Sequence, residues 1–192
     1  PGLSIDVLSA ADQASVRADA VAKNVDPFGS TVWPSSLAAA IDLCDIANVL
    51  RDGTLDGLTV LELGAGTGVA SYTAAALGAT VIATDVAPLS LQLLEAGARM
   101  QVSNHPASPY SSYSSPSSSS SACSLSSSSS SLEESAATPM PVPFRGTLEA
   151  RGFDVCDESL QLPPCDLLVS ADMLYSPQLT AAVARRCIEV GE

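Results

Sequence analysis

The sequence predicts an α/β fold: a Rossmann-like parallel sheet of about four strands, with helices on both faces. Three observations predict it. Short apolar runs at 59–63, 80–84 and 166–171 have the length and continuity of strands buried on both sides. Segments with helical periodicity follow these runs after short turns, an alternation that leads to parallel pairing. Glycines at 64, 66 and 68 stand between the first strand and the next helix. A turn of that kind brings backbone amides to a helix N-terminus, where a ligand can approach closely.

The elements follow in order. Residues 1–28 form an N-terminal segment of mixed polarity with weak helical periodicity around 10–22. Gly29-Ser-Thr-Val-Trp-Pro34 makes a turn-like entry, and Pro34 suits the first turn of a helix that runs to about Leu50. Along it Leu37, Ile41 and Cys44 stack at helical spacing, with Asp42 and Asp45 on another face. It ends near Asp52-Gly53, and Thr59-Val-Leu-Glu-Leu63 is the first strand. The next helix covers 69–77 and closes at Gly78. Thr80-Val-Ile-Ala-Thr84 is the second strand, ending at Asp85; a helix over 88–100 follows, with Leu89, Leu93 and Leu94 facing inward.

Between Ser108 and Ser135, 18 of 28 residues are serine. Such a tract buries too little apolar surface to offset its ordering entropy, so 104–142 is expected to be a disordered surface insertion. It divides the main domain into 29–103 and 143–192. Order is expected to resume near 147–153 with a third strand, then the strand at 166–171 and a last helix from Pro177 to Val190. Right-handed crossovers bring every strand's C-terminal end to one rim. The glycine turn, Asp85, Phe153-Asp154 and Asp172 all fall on that rim, where open α/β sheets bind ligands.

A chain of 192 residues can bury a core of its own. Its net charge of −13 argues against a nucleic-acid partner and suits small cationic ligands or basic protein surfaces. The five cysteines, at 44, 123, 156, 165 and 187, form no C-x-x-C pair and are expected to be free thiols in a reducing compartment. The single His105 lies beside the serine tract and offers no zinc site, so no metal is expected. No 18-residue apolar run or signal peptide is visible; the expectation is a soluble protein of the cytoplasm or nucleus with no membrane partner. The start at Pro1 suggests a trimmed or incomplete N-terminus.

The glycine spacing departs from Gly-x-Gly-x-x-Gly: the sixth position is Val69, and the third glycine comes one residue early. Glu62 lies inside the strand just before the turn. An acid there suits a ligand carrying an ammonium group better than a pyrophosphate, and within an apolar strand it needs a partner. Asp85 follows Gly64 by 21 positions, where an acid can accept both hydroxyls of a ribose; the alternative is a helix N-cap. Ser71 and Tyr72 carry no signal beyond helix.

Leu61-Glu-Leu-Gly-Ala-Gly-Thr-Gly68, Asp85 and Ser170-Ala-Asp-Met-Leu-Tyr175 together resemble the class I, seven-strand S-adenosylmethionine-dependent methyltransferases. Thr31-Val-Trp-Pro34 with Asp172-x-x-Tyr175 narrows the resemblance to the methyltransferase-16 group of protein-lysine methyltransferases. It covers roughly 28–103 and 147–190. It implies S-adenosyl-L-methionine as cofactor, a lysine of a protein as substrate, and methyl transfer as the reaction. It implies a cofactor site of Trp33, Glu62, Gly64, Ala65, Gly66, Asp85, Phe153, Asp154 and Ala171, with Asp172 and Tyr175 at the reacting amine. For Trp33 and Ala171 ordinary packing competes with these roles; for Asp172 and Tyr175 the competing reading is an N-cap beside a surface tyrosine. The family's tryptophan after the third strand is replaced here by Phe153-Asp154-Val155, and its sheet continues for three more strands. The chain is therefore expected to be a fragment or a truncated product, with strand 166–171 as a raw edge. The alternatives are a truncated, non-catalytic methyltransferase-like protein and a nicotinamide-cofactor oxidoreductase on the same sheet.

Overall fold

A computed structural model describes the chain at residues 3, 5–22, 28–103 and 144–191. The serine-rich insertion expected at 104–142, His105 and Cys123 lie outside the described residues. Five helices and four strands are described: α1 (Gln13–Ala22), α2 (Pro34–Leu50), β1 (Thr59–Leu63), α3 (Val69–Ala76), β2 (Thr80–Asp85), α4 (Pro88–Ser103), β3 (Thr147–Gly152), β4 (Leu167–Ser170) and α5 (Pro177–Val190).

All strand pairs are parallel, and the order across the sheet is β3-β2-β1-β4. The chain winds outward from β1 through β2 to β3, then returns to lay β4 on the other side of β1. This reversal opens a crevice beyond the C-terminal ends of β1 and β4, the place where doubly wound sheets hold ligands.

The pleat of β1 divides its side chains between two cores. Val60 joins Leu43 and Ala47 of α2, Tyr72, Ala74 and Ala75 of α3, and Leu94 of α4 on one face. Leu61 and Leu63 pack on the other face with Phe153, Val155, and Ala182 and Val183 of α5. Each fully buried aliphatic side chain contributes roughly 1.5–3 kcal/mol. Glu62 alternates with Leu61 and Leu63, so it turns toward the α3 face. Every residue of α3 is buried; its alanines let the helix lie close to the sheet.

Two sequence expectations are corrected. On α2 the inward stripe is Ala39, Leu43, Ile46 and Ala47, whereas Leu37 and Ile41 are 52% and 61% exposed and Cys44 is only half-buried. Both stripes have helical spacing. The inward stripe begins and ends on Ala39 and Ala47, which let α2 lie close to the alanine-rich α3 while Leu43 and Ile46 fill the core between them. On α4, Leu91 and Leu94 face the core and Leu89 faces outward. No described helix is long and apolar enough to cross a membrane, and the described residues form no cluster of metal-binding side chains.

Candidate functional site

The turn after β1 is held from several sides. Gly64 and Gly66 have φ of +68° and +54°, values that side chains disfavour. A Cβ at Gly64 would clash with Sδ of Met173, and one at Gly66 would lie 3.1 Å from the Gly29 carbonyl oxygen. The Ala65 amide donates to the Thr84 carbonyl at 2.8 Å, and the Gly66 amide donates to Oδ2 of Asp85 at 2.8 Å. Oδ1 of Asp85 accepts from the Ala87 amide at 2.7 Å, ahead of α4. Asp85 thus leads the chain into the helix, as the N-cap alternative foresaw in part, while it also lines the cavity.

Glu62 is 2% exposed. Its partner is Ser71 in the first turns of α3: the Ser71 amide donates to Oε2 at 2.9 Å, and the Ser71 hydroxyl makes a short hydrogen bond to the same oxygen. Burial pushes the Glu62 carboxyl up to about 7; the Ser71 bonds pull it back down, and the charge of Asp85 adds a smaller upward push. Sequence reasoning missed Ser71. Its signal was its place nine residues after the acid, just past a turn that folds helix back on strand. Tyr72 is core: its hydroxyl donates to the Leu94 carbonyl at 2.9 Å and its ring stacks on Phe144.

One lip of the cavity is the 28–33 segment, held by α1. The Gln13 side chain donates to the Ala10 and Ser30 carbonyls at 2.8 and 2.9 Å. Its oxygen accepts from the hydroxyls of Ser30 and Thr31 at 3.2 and 2.7 Å, which satisfies the whole carboxamide. Trp33 precedes α2, and Ser36 returns an amide and a hydroxyl to the Trp33 carbonyl. Nε1 of Trp33 donates to the Phe28 carbonyl at 3.2 Å. The Phe28 ring meets Trp33 edge-on at 5.8 Å and Tyr175 edge-on at 6.2 Å. Phe28, which the sequence did not flag, therefore joins the two aromatic residues that it did.

The opposite lip comes from the ends of β3 and β4. Phe153 is mostly core, packed with Leu61 and Leu63 beneath the Arg186 guanidinium at 5.1 Å, and shows the cavity only part of its surface. Oδ1 of Asp154 accepts from the Cys156 amide. Arg186, 3% exposed, donates to the carbonyls of Val155, Asp157 and Leu160, and pairs with Glu189. This buried cation on α5 fixes the loop that carries Phe153 and Asp154. Helical spacing would put Asp172 and Tyr175 on one turn; the structure instead places both in an irregular connection before α5. The N-cap is Ser176, whose hydroxyl accepts from the Leu179 amide, so the N-cap alternative for Asp172 fails. Asp172 has φ of +62°, a conformation that Asp tolerates better than most residues.

Every candidate residue, Trp33, Glu62, Gly64, Ala65, Gly66, Asp85, Phe153, Asp154, Ala171, Asp172 and Tyr175, borders one cavity of about 370 Å³. Phe28 and Met173 border it too. The volume falls within the range typical of small-molecule sites. Among its described lining residues there are carboxylates, hydroxyls and aromatic rings but no histidine, cysteine or lysine. Its carboxylates and aromatic rings equip the cavity to bind and aim a cation. Away from it, burial first and then Asp45 and Asp166 push the thiols of Cys44 and Cys165 up, which keeps them protonated.

A family model described as lysine methyltransferase matches residues 12–107. A 50-residue stretch is 56% identical to a cypemycin N-terminal methyltransferase from Streptomyces sp, covering 26% of this chain and 20% of that protein. Protein-lysine methyltransferase METTL21E of Mus musculus is 39% identical over 69 residues, 36% of this chain and 27% of the relative. The Bos taurus protein of the same name is 44% identical over 64 residues, 33% of this chain and 21% of the relative. These matches thus span about a fifth to a quarter of the relatives' lengths. Among solved structures, a putative RNA methyltransferase from Pyrococcus horikoshii aligns at 19% identity with a TM-score of 0.44, covering 80% of this chain and 54% of that one. An arsenic(III) S-adenosylmethionine methyltransferase from Chlamydomonas reinhardtii aligns at 17% identity and 0.41, covering 81% and 44%.

Proposed function

Because this chain belongs to the lysine methyltransferase family, we propose that its cavity binds S-adenosylmethionine and directs the methyl group to the ε-amine of a lysine in a protein substrate. The observation that carries this reading is a convergence. A buried acid, a positive-φ glycine turn and Asp85 meet Asp172 and an aromatic group in a single cavity. The family match also sets aside the nicotinamide-cofactor alternative.

The residues fit such a cofactor. Gly64 and Gly66 hold the positive φ of the turn and leave room for Met173 and the Gly29 carbonyl, and the turn so shaped would lie against the cofactor's methionine end and ribose. Glu62 would hold its ammonium group, and Asp85 would accept from its ribose hydroxyls. Phe153 and Asp154 would border its adenine, and Ala171 would leave room under the cofactor. When bound, the cofactor supplies an electrophilic methyl group on a sulfonium.

The chain's own part is to bind and orient the amine. A lysine with a pKa of about 10.4 is neutral in only about one molecule in a thousand at pH 7.4. A carboxylate at Asp172 captures the ammonium and aims it, but it also favours the charged form. Asp172 is thus a binding and orienting group rather than a strong base, and the lysine's proton passes to water before attack. Phe28, Trp33 and Tyr175 present aromatic surface that attracts a cation and excludes water. The unpaired thiols of Cys44, Cys156, Cys165 and Cys187 suit a reducing compartment inside the cell.

The test is transfer of tritiated methyl groups from S-adenosylmethionine to a protein extract, followed by hydrolysis and amino-acid chromatography. Label is expected in methylated lysine, with transfer falling about a hundredfold in Asp172→Asn, a change that keeps the backbone conformation accessible. Label in small molecules alone, or an Asp172→Asn variant as active as the parent, would overturn the proposal.

A further inference from the structure

We propose that Ser71 is a positioning residue that keeps Glu62 ionisable inside the cavity, so that a cationic cofactor binds with release of one proton from the Glu62 carboxyl. The inference rests on the cofactor reading above, and it concerns how the buried acid is made ready for a positive charge.

Glu62 is surrounded by groups that resist its ionisation. It is buried on β1, between Ala83 of β2 and Val169 of β4. Among the described residues, no lysine or arginine forms an ion pair with it. The titratable groups around it are acidic or weakly acidic: Asp85 at the end of β2, Tyr72 on α3, and Asp154 and Asp172 on the cavity rim. Asp85 opposes the Glu62 charge directly, and burial together with the Glu62 charge holds the Tyr72 hydroxyl protonated. Only Ser71 works the other way. Its amide and hydroxyl both donate to Oε2, and hydrogen bonds to a charged acceptor favour the charged form. Burial and these two bonds leave the group balanced near neutral pH, at about 7. A ligand ammonium placed beside Glu62 tips that balance: the carboxyl gives its proton to solvent and the ion pair forms. Ser71 itself touches no ligand in this scheme.

Two measurements on the chain separate this proposal from the one beneath it. The first follows the Glu62 carboxyl in the ligand-free protein, by carbon-13 NMR or the infrared carboxyl band, with Glu62→Gln to assign the signal. Ser71→Ala is expected to move the titration midpoint to higher pH. The second is the Kd of S-adenosylhomocysteine, which carries the same ammonium group, from pH 6 to pH 9. The parent's affinity is expected to rise severalfold between pH 6 and pH 8, and then to fall as the ligand's own ammonium loses its proton. Ser71→Ala should bind about fivefold more weakly at pH 7 but within about twofold of the parent at pH 9. Ser71→Thr restores the hydroxyl, and Glu62→Gln flattens the profile. A Ser71→Ala midpoint that does not move, or an equal weakening at every pH, overturns the role of Ser71. A midpoint that moves in a protein with no affinity for S-adenosylhomocysteine upholds Ser71's influence on Glu62 but overturns the coupling to this cofactor, and with it the cofactor reading.

Discussion

Two walls of the cavity are built on opposite terms. The glycine-turn side, Glu62 to Ser71 with Asp85, is buried, and its polar atoms are held by backbone amides and a serine. The opposite side, Asp172 to Tyr175, is irregular in backbone and open to solvent; Tyr175 is 55% exposed. Under the proposed function the first would hold the small cofactor, and a change there should cost stability and binding together. The second would meet the protein substrate, so a change there should cost methyl transfer more than stability.

Gly64→Ala is the strongest challenge to the closed side. The new Cβ would meet Met173 in a conformation that already disfavours side chains. We expect a loss of about 4 kcal/mol and more than a hundredfold weaker cofactor binding, read by denaturant melts and calorimetry. A stable variant with normal affinity would remove the requirement for close backbone approach. Glu62→Gln comes next. The folded protein raises the Glu62 carboxyl from its ordinary value of 4.5 to about 7. The stability this group contributes is therefore complete below pH 4.5 and is lost as pH rises through about 7. Without ligand, the parent should lose about 3 kcal/mol relative to Glu62→Gln between pH 4.5 and pH 8. Parallel stability curves for the two proteins would contradict the burial argument.

Gln13→Ala tests whether α1 shapes the lip at 28–33. It removes four hydrogen bonds, one to each of Ala10 and Ser30 carbonyls and one from each of two hydroxyls. A stability cost of about 2 kcal/mol is expected, with altered Trp33 fluorescence; an unchanged spectrum would free the lip from α1. The smallest effect should come from Ile41→Ser, within about 0.5 kcal/mol, against about 3 kcal/mol for Leu43→Ala on the inward stripe. Reversed values would restore the α2 face that spacing alone suggested.

Much of this arrangement was legible in the sequence because one physical feature governed each element. Strands β1 and β2 are short, largely apolar runs, and glycines 64 and 66 mark a turn that few other residues could make. The placement of Asp85, Phe153 and Asp172 on one rim followed from parallel pairing alone. What was not legible depended on choices between equally good patterns or on contacts across the fold. Two stripes on α2 share one spacing, and only the close approach of α3 selects Leu43 and Ala47. Ser71 meets Glu62 because helix folds over strand, and Gln13 reaches Ser30 and Thr31 across 17 and 18 residues. Arg186 holds the Phe153 loop from a helix whose sequence reads as plain surface.

The central claim is that the turn side of the cavity is an S-adenosylmethionine site anchored by Glu62 and Asp85. Calorimetric titration of the chain with S-adenosylhomocysteine and, separately, with NAD tests it most directly. The account predicts one-to-one binding of S-adenosylhomocysteine at pH 8, at least tenfold weaker in Asp85→Ala, and no heat with NAD. Saturable binding of NAD, or S-adenosylhomocysteine affinity indifferent to Asp85→Ala, would contradict it.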